Sequence, residues 1–442
     1  MATPTPTPRS LPTSMQIRSN STSHVRVVVR VRPFLPSELE SKDKGPVPCI
    51  SVLNADSDPR SGEEITVHIK DQWTSRNECY KLDSFFSQEN GLDSIFHGEV
   101  SNLISGVFKG SNATVFAYGA TGSGKTYTMQ GTDRQPGLIP LSMSRILSSC
   151  ESSGSSIEIA YYEVYLDRCY DLLEPKAKEV MVLEDKDGQV QMKGLSRVTV
   201  RSMPEFSQIF ASGVQRRKIA HTGLNDVSSR SHGVLSIIVS SGGAVGKLNL
   251  IDLAGNEDNR RTGNEGIRLL ESAKINQSLF ALSNVIYALN NNEPRIPYRE
   301  SKLTRILQDS LGGTSRALMI ACLNPMSYHE AVHTVSLAAR SRHIANYVGP
   351  DAKQETPRVK VDMEAKLRAW LESKSKSKSV QVKNGHFSPI SGRTASLSAK
   401  KPGSARPTSR VMIKDHGFAK GSGYRLLQAA DTHAWYCFFP RL

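Results

Sequence analysis

The sequence lacks any apolar run that approaches the ~18 residues of a membrane-spanning helix, so nothing in it favours a membrane protein. Its six cysteines lie far apart and form no CxxC pair, which argues against a zinc site or a disulfide framework and fits a reducing compartment. The first 24 residues lack acids and the apolar core of a signal peptide. Their Ser, Thr and Pro content leaves an organelle transit peptide open, but it is more typical of a disordered head. We therefore expect a cytoplasmic protein.

Acidic residues are scarce towards the end of the chain. Residues 351–442 contain 18 Lys and Arg against 7 Asp and Glu, so they carry +11 of the net charge of +14. The preceding 350 residues are nearly neutral, and hydrophobic residues make up 38% of the whole chain. We expect a folded body followed by a basic, Ser/Lys/Pro-rich, disordered tail. Such a tail suits nucleic acid, an acidic protein surface or an anionic membrane, and its charge alone does not choose between them.

The body alternates apolar, strand-like runs with helical patterns. Runs that are apolar throughout and are separated by helices are typical of a sheet covered on both faces. The sequence therefore predicts an α/β domain with a central, mostly parallel sheet flanked by helices. Residues 275–289 place apolar side chains at three- and four-residue spacing, which predicts an amphipathic helix. The predicted strands are VRVVVRV (25–31), ATVFAY (113–118), IEIAYYEVY (157–165), VLSIIVSS (234–241), KLNLIDL (247–253) and ALMIACL (317–323).

The same patterns predict the domain boundaries. The expected segments are a disordered head over 1–23, the folded domain over 24–346, a linker over 347–361, a short helix over 362–373 and the disordered tail over 374–442. The sequence contains no internal repeat, and the short helix cannot sustain a heptad seam. It therefore predicts no coiled-coil dimer and leaves the oligomeric state undetermined.

A glycine-rich stretch follows the predicted strand ATVFAY. It reads GATGSGKT and fits the phosphate-binding pattern G-x-x-x-x-G-K-[ST]. Glycines let backbone N–H groups converge on phosphate oxygens, and the following helix N-terminus favours the same negative charge. Lys125 is expected to reach the β- and γ-phosphates of a nucleotide, and the Thr126 hydroxyl is expected to bind Mg²⁺. The predicted nucleotide contacts are Gly119, Ala120, Thr121, Gly122, Ser123, Gly124, Lys125 and Thr126.

Two further segments complete a nucleotide-sensing set. Asp252 ends the strand KLNLIDL and is placed to hold Mg²⁺ through water, and Gly255 follows three residues later. This D-x-x-G arrangement lets a backbone N–H sense a γ-phosphate, although Asp and Gly commonly end strands. NDVSSRSH (225–232) is hydroxyl-rich, although in isolation it also matches an ordinary polar turn. The three segments in this order predict a triphosphatase with two switch loops, and the missing N/T-K-x-D motif favours ATP over GTP.

These segments resemble one known family, the kinesin motor domain. The matching strings are GATGSGKTYTM, YYEVYLDRCYDLLEP, NDVSSRSH, DLAGNE, INQSLFALSNVIYALN and IPYRESKLTRILQDSLGG, and the resemblance covers roughly residues 23–346. It implies an ATP hydrolase stimulated by microtubules, which couples hydrolysis to force or movement along them. Tubulin as a partner, ATP and Mg²⁺ as ligands, and a cytoplasmic, cytoskeletal location follow from it, with the spindle or nucleus also open.

The resemblance assigns roles around the nucleotide. In RVRP (30–33), Pro33 matches the proline that packs on the adenine, and Tyr127 matches the ring on its other face. Arg230 and Glu257 match the pair that bridges switch I to switch II when ATP is bound. Ser228 and Ser229 match the switch I serines that coordinate Mg²⁺ or its waters. Catalytic roles are thereby implied for Ser228, Ser229, Arg230, Gly255 and Glu257, nucleotide contacts for Arg30, Pro33 and Tyr127, and Mg²⁺ contacts for Thr126, Ser229 and Asp252.

The resemblance also implies a microtubule-binding surface. The helix over residues 275–289 matches the relay helix after switch II, which sits between tubulin subunits. Arg299, Lys302 and Arg305 match basic contacts to the acidic tubulin surface, and Arg261 matches another in the loop after switch II. Without the resemblance, these side chains are expected to be ordinary solvated charges or caps of helix ends.

The chain also departs from the kinesin pattern. Ala120 stands where Gln is common, and Asn256 stands where Ser is common. Neither position supplies a Mg²⁺ or γ-phosphate contact, so hydrolysis is expected to survive, with its rate and nucleotide release left open. The motor-first layout and basic tail resemble the chromokinesin-like group, whose helix-hairpin-helix DNA module is not apparent. The linker is unlike the neck of processive transport kinesins. The alternative from another class is a non-motile adaptor that binds microtubules or chromatin through the tail.

Overall fold

The computed structural model describes residues 21–40, 46–53, 64–174, 179–186, 188–219, 230–257 and 267–348. The chain divides after Arg358, and every described residue belongs to the first unit. The short helix and the tail predicted for residues 362–442 therefore lie outside the described residues, as does most of the predicted linker.

The strands of the described residues include all six that the sequence predicts, with ends that differ by at most three residues. In chain order, the strands are β1 Ser21–His24, β2 Arg26–Val31, β3 Ile50–Leu53, β4 Ile65–Lys70, β5 Asn77–Leu82, β6 Ser84–Phe86, β7 Ala113–Tyr118, β8 Ser156–Tyr165, β9 Arg168–Asp171, β10 Glu179–Glu184, β11 Val190–Lys193, β12 Val198–Thr199, β13 His232–Ser241, β14 Ala244–Asp252, β15 Arg316–Leu323 and β16 Ala345–Val348.

One large sheet organises these strands in the order β11-β10-β9-β8-β13-β14-β7-β15-β2-β6, with β12 beside β8. The five strands β14, β7, β15, β2 and β6 are parallel. The strands from β13 to β11 pair antiparallel with their neighbours. The α/β class is thus confirmed, and the sheet is mixed, with its parallel part around β7. One reason is a tight hairpin between β13 and β14, where Gly242 and Gly243 both have positive φ.

The helices of the described residues cover the sheet, and none of them is long and apolar enough to cross a membrane. The amphipathic helix predicted over 275–289 forms the second part of α7, which begins earlier, at Ile267. In chain order, the helices are α1 Pro36–Leu39, α2 Leu92–Ile95, a π-helical turn Phe96–Val100, α3 Ser101–Phe108, α4 Lys125–Gln130, α5 Leu138–Ser153, α6 Met203–Ile219, α7 Ile267–Asn290, a 3₁₀ turn Tyr298–Glu300, α8 Lys302–Ile306 and α9 Tyr328–Ser341.

A separate apolar core fills each face of the sheet. In β15, Leu318 and Ile320 belong to one core and Met319 and Ala321 to the other, because successive side chains of a strand point to opposite faces. Helices α3, α5 and α6 contribute to the first core, and α7, α8 and α9 contribute to the second. Both faces of the sheet are therefore covered, as the apolar strands predict.

The first and last described strands pair with each other. β1 lies antiparallel to β16, with Ser23 opposite Asn346. The expected domain boundaries, after residues 23 and 346, therefore fall inside this strand pair. The buried Asn346 fixes it, since its side chain accepts from the Gly312 N–H at 2.8 Å and donates to the carbonyls of Ser310 and Ser315 at 2.9 and 2.7 Å. Neither strand is an apolar run, so the hydrophobic pattern of the sequence does not reveal this pairing.

Candidate nucleotide site and switch region

The predicted phosphate loop joins β7 to α4 and depends on its glycines. A Cβ added at Gly119 would lie 2.2 Å from the carbonyl oxygen of Cys322, and Gly124 has a φ of +93°. Lys125 is buried at the first position of α4, and its Nζ donates to the Ala120 carbonyl at 2.9 Å across the loop. Burial lowers the pKa of Lys125, and the charge of Asp252 opposes this shift. A buried ammonium group enclosed by a glycine-rich loop favours an anionic ligand.

Asp252 lies at the end of β14, beside the loop. Its Oδ2 accepts from the Thr126 hydroxyl at 3.0 Å and from Arg217 Nη1 at 2.9 Å. Its Oδ1 is buried without a hydrogen-bond partner among the described residues. Hydroxyl and carboxylate oxygens are the ligands that Mg²⁺ prefers, often through water. The orphaned Oδ1 and the Thr126 hydroxyl therefore fit the predicted metal ion, while Ser228 and Ser229, also predicted at this site, lie outside the described residues.

Arg217 on α6 is a site residue that the sequence interpretation missed. Its Nε and Nη2 donate to the hydroxyl and carbonyl of Ser231, at 3.0 and 2.7 Å, while Nη1 holds Asp252. Burial is the largest effect and lowers the pKa of this guanidinium, but the charges of Asp252, Tyr161 and Glu163 and the hydrogen bond to Asp252 together outweigh it, so the net pKa is raised. Arg217 thus joins the end of β14 to the end of the switch I segment. A signal was present, since Arg217 continues an apolar helical spacing from Phe206 and Phe210.

Replacing Arg217 with methionine is expected to lower the free energy of unfolding by about 3 kcal/mol, because it leaves the Asp252 carboxylate buried without its ionic partner. The urea-unfolding midpoint of the nucleotide-free protein measures this loss. Arg216→Met is the matched control, since among the described residues Arg216 donates to the neutral carbonyls of Leu172 and Leu173 and to no carboxylate. Its loss is expected to be about 1 kcal/mol. Equal urea midpoints for the two variants would show that the Arg217–Asp252 ion pair stabilises the protein no more than hydrogen bonds to neutral carbonyls do.

The RVRP element lies against the other side of the loop. Arg30 donates to the Thr128 hydroxyl at 3.3 Å, and its guanidinium carbon lies 5.1 Å from the ring centroid of Tyr127. Arg32, which the sequence interpretation gave no separate role, donates from Nε to the Gly122 carbonyl at 2.7 Å. Pro33 is exposed next to it. The structure thus brings Arg30 and Tyr127 together beside the phosphate loop, and their contacts with the base stay predictions.

The segment after Asp252 crosses directly over the loop. The Glu257 carboxylate accepts from the backbone N–H of Thr121 at 2.9 Å and from its hydroxyl at 2.6 Å. A Cβ added at Gly255 would lie 2.1 Å from Glu257 Oε2 and 2.3 Å from the Thr121 hydroxyl, so a larger residue here would displace this pair of side chains. The Glu257 carbonyl accepts from Asn276 of α7 at 3.1 Å. Arg230, the predicted ATP-state partner of Glu257, lies half-buried just before β13.

His232 connects both switch segments to α7. Its Nδ1 accepts from the Ala254 N–H at 3.0 Å, and its Nε2 lies 2.9 Å from the Ser278 hydroxyl. That hydroxyl donates to the Ile275 carbonyl at 2.6 Å, so the ring donates to Ser278 from Nε2. Burial, together with the charges of Arg217 and Lys125, lowers the pKa of His232 to about 3. The imidazole is therefore neutral and holds one tautomer, a role that the motif NDVSSRSH did not reveal.

Three of the four predicted microtubule contacts lie together around α8. Arg299 and Arg305 both face Glu184 of β10, with N–O distances of 2.7 and 3.7 Å. The backbone N–H of Lys302 donates to Asp167 at 2.6 Å. The fourth, Arg261, lies outside the described residues. The structure therefore groups these three residues into a basic surface around α8, and their contacts with tubulin stay predictions.

Comparison with known proteins identifies the family. The family model of the kinesin motor domain matches residues 30–344. The kinesin-like protein KIN-10C of Oryza sativa subsp. japonica is 65% identical over 400 residues, which cover 90% of this chain and 67% of the relative. KIN-10B of Arabidopsis thaliana is 61% identical over 409 residues, which cover 92% and 65%. The kinesin-like protein KIF22 of Xenopus tropicalis is 42% identical over 351 residues, 75% of this chain and 53% of the relative. The chain thus spans about two thirds of the plant relatives and about half of KIF22.

Solved structures agree with this comparison. The structure of a fast kinesin matches with a TM-score of 0.66 and 34% identity, covering 75% of this chain and 96% of that one. A KIF14 dimer in complex with a microtubule matches with a TM-score of 0.64 and 30% identity, covering 74% and 96%. Sequence and structure comparisons thus agree with the glycine-rich loop and the two switch segments. The chain belongs to the kinesin family, with its motor domain over residues 30–344.

Proposed function

We propose that this chain is a microtubule-stimulated ATPase that converts ATP binding and hydrolysis into force or regulated attachment along microtubules. One observation carries the proposal: the phosphate loop contacts switch II directly and reaches the switch I segment through two residues, Asp252 and Arg217. Thr121 binds Glu257, and Thr126 binds Asp252, which Arg217 joins to Ser231. A ligand that displaces any of these contacts must change the others.

The nucleotide is held by the chain's own polar groups. Lys125 exchanges the Ala120 carbonyl for the β- and γ-phosphates, and the loop N–H groups enclose the same oxygens. Thr126, Asp252 and Ser229 hold Mg²⁺, which neutralises charge on the phosphates when bound. Ser228 and Ser229 orient the attacking water, and Arg30, Pro33 and Tyr127 hold the adenine. Because phosphoryl transfer needs little covalent help from the protein, positioning and electrostatics supply most of the rate.

The terminal phosphate controls the switches through Gly255 and Ser229. When the Gly255 N–H turns to the phosphate, Glu257 leaves Thr121 and pairs with Arg230, which closes the two switches on each other. Asn276, which holds the Glu257 carbonyl, and Ser278, which holds His232, transmit this shift to α7. The segment after α9 then docks or releases, and its first strand, β16, is seen paired with β1.

The microtubule is proposed to bind the face formed by α7 and the basic surface around α8. Helices α7 and α8 pack together, and Asn284 of α7 donates to Glu300 at 3.1 Å. Two aromatic side chains on α7, Phe280 and Tyr287, are 68% and 56% exposed. They lie seven residues apart and therefore on the same helix face. Exposed aromatic side chains are typical of the anchors of a protein interface.

Removing the Phe280 ring is expected to weaken microtubule binding by about tenfold, the effect of truncating an aromatic anchor. Co-sedimentation of Phe280→Ala at several salt concentrations measures it. Arg299→Ala is expected to lose less affinity, and its loss is expected to shrink as salt rises. Val245→Ala is the control, because Val245 is also largely exposed (59%) but lies on the β13–β14 hairpin. A wild-type affinity for Phe280→Ala would exclude this face of α7 from the interface.

The proposal is tested by ATP hydrolysis measured with and without polymerised tubulin. Turnover is expected to rise and saturate with microtubule concentration, and Thr126→Asn is expected to abolish it. Gliding of labelled microtubules over the immobilised protein, with and without residues 351–442, tests movement. A chain that binds microtubules only through those residues and hydrolyses ATP no faster on them would be a non-motile adaptor instead. Binding of nucleic acid or chromatin by residues 351–442 stays a prediction, because that segment lies outside the described residues.

A further inference from the structure

Asn256 in switch II reaches the last helix of the motor domain. Its Nδ2 lies 3.2 Å from the Thr334 hydroxyl and 3.4 Å from Nδ1 of His333, both on α9. Its backbone N–H donates to the Gly119 carbonyl at 3.2 Å. Asn256 and Thr334 are both buried, with 7% and 1% of their surface exposed. One residue therefore contacts the phosphate loop through its backbone and α9 through its side chain.

The length of the asparagine side chain makes this contact. A serine at position 256 would end one bond after Cβ, where asparagine has Cγ, so its hydroxyl would stop short of both α9 acceptors. Since the Thr334 hydroxyl is buried, water cannot replace the hydrogen bond that it makes with the side-chain amide of Asn256. The contact is therefore specific to the residue that this chain carries, and it ties the positions of switch II and α9 together.

Helix α9 connects the Asn256 contact at Thr334 to the β1–β16 strand pair. The helix ends at Ser341, and β16 begins four residues later at Ala345. Arg342 holds the end of the helix, with its Nε 2.8 Å from Asp83 and its Nη1 2.8 Å from Glu64. Ile344 is buried directly before the strand. Because the connection is short and anchored, a displacement of α9 at Thr334 must be accommodated at β16.

We propose that Asn256 is a positioning residue that couples the nucleotide state of switch II to α9 and, through it, to the pairing of β16 with β1. This coupling rests on the proposed function above and acts in parallel with the contacts to α7. Asn256 is adjacent to Gly255, so any turn of the phosphate-sensing peptide moves it. When Asn256 moves, either α9 moves with it or the Thr334 hydroxyl loses its hydrogen bond to the Asn256 amide. Switch II and α9 are therefore expected to change position together, between two discrete arrangements.

The test is hydrogen–deuterium exchange of the β16 amides in the full chain, with ADP and with a non-hydrolysable ATP analogue. Wild type is expected to exchange these amides at different rates in the two states. Asn256→Ala is expected to reduce that ratio of rates at least fivefold, the lower end of a typical coupling. The microtubule-stimulated kcat is expected to fall with it, while the KM for ATP is expected to change less than twofold. Thr334→Val is expected to match Asn256→Ala and the double variant to add nothing, whereas Thr334→Ser keeps the hydroxyl and the wild-type ratio.

The outcomes separate this inference from the proposed function. If Asn256→Ala and Thr334→Val keep the wild-type ratio of exchange rates, the inference is wrong and the proposed function stands. If wild type itself shows one exchange rate in both states and microtubules do not accelerate its turnover, both are wrong. Should Asn256→Ala lower the urea midpoint, the isosteric Thr334→Val decides the question in its place.

Discussion

Lys125→Ala is expected to reduce ATP turnover by about 10³-fold, with or without microtubules, as when one preorganised charge that faces a transition state is removed. The Lys125 ammonium is already buried inside the phosphate loop, 2.9 Å from the Ala120 carbonyl. Because its desolvation has occurred on folding, its charge acts on the phosphates with little screening by water. Single-turnover hydrolysis with saturating protein measures the chemical step separately from nucleotide release.

Two controls make the Lys125 result interpretable. Lys109→Ala removes an exposed lysine at the end of α3 and is expected to leave turnover unchanged. The unfolding midpoint of the nucleotide-free Lys125→Ala protein is not expected to fall, since burial disfavours the charged lysine and lowers its pKa. Turnover within tenfold of wild type in the folded variant would remove Lys125 from the mechanism.

Glu257→Ala is expected to bind ATP, to hydrolyse it about 10² to 10³-fold more slowly, and to stay tightly bound to microtubules in ATP. In the structure the Glu257 carboxylate holds the N–H and hydroxyl of Thr121, and its proposed ATP-state partner is Arg230. Removing the carboxylate frees the loop for ATP but removes the charged bond that closes the switches. Quench-flow measures hydrolysis, and co-sedimentation in excess ATP measures microtubule binding.

Matched variants separate the charge of Glu257 from its shape. Glu257→Gln keeps an acceptor for the Thr121 N–H but carries no charge, so it is expected to hydrolyse as slowly as the alanine variant. Glu293→Ala removes an exposed carboxylate after α7 and is expected to behave as wild type. Release from microtubules in ATP at the wild-type rate by Glu257→Ala would show that the switches close without this residue.

Local motifs predicted the phosphate loop, Asp252 and the strands around them, because their geometry is set by neighbouring residues. The close approach at Gly119 and the positive φ of Gly124 are properties of one short turn, which the pattern G-x-x-x-x-G-K-[ST] encodes. The apolar runs likewise identified the strands and showed that both sheet faces are covered.

Contacts between distant segments were not predictable in the same way. Arg217, Arg32 and the Nδ1 contact of His232 join residues that lie 35, 90 and 22 positions apart in the chain. Each is a polar residue whose partner is known only once the fold is known. The β1–β16 pair rests on backbone groups and on Asn346, and neither leaves an apolar pattern in the sequence. The predicted roles of Ser228, Ser229 and Arg261 stay predictions, since these residues lie outside the described structure.

The central proposal is that the γ-phosphate of bound ATP sets the affinity of the α7–α8 face for microtubules. The affinity of the purified full chain for microtubules, compared between ADP and a non-hydrolysable ATP analogue, measures that link most directly. A dissociation constant at least about tenfold lower with the analogue is expected, together with loss of this difference in Thr126→Asn. Equal dissociation constants in both nucleotide states, in folded protein that binds both nucleotides, would contradict it.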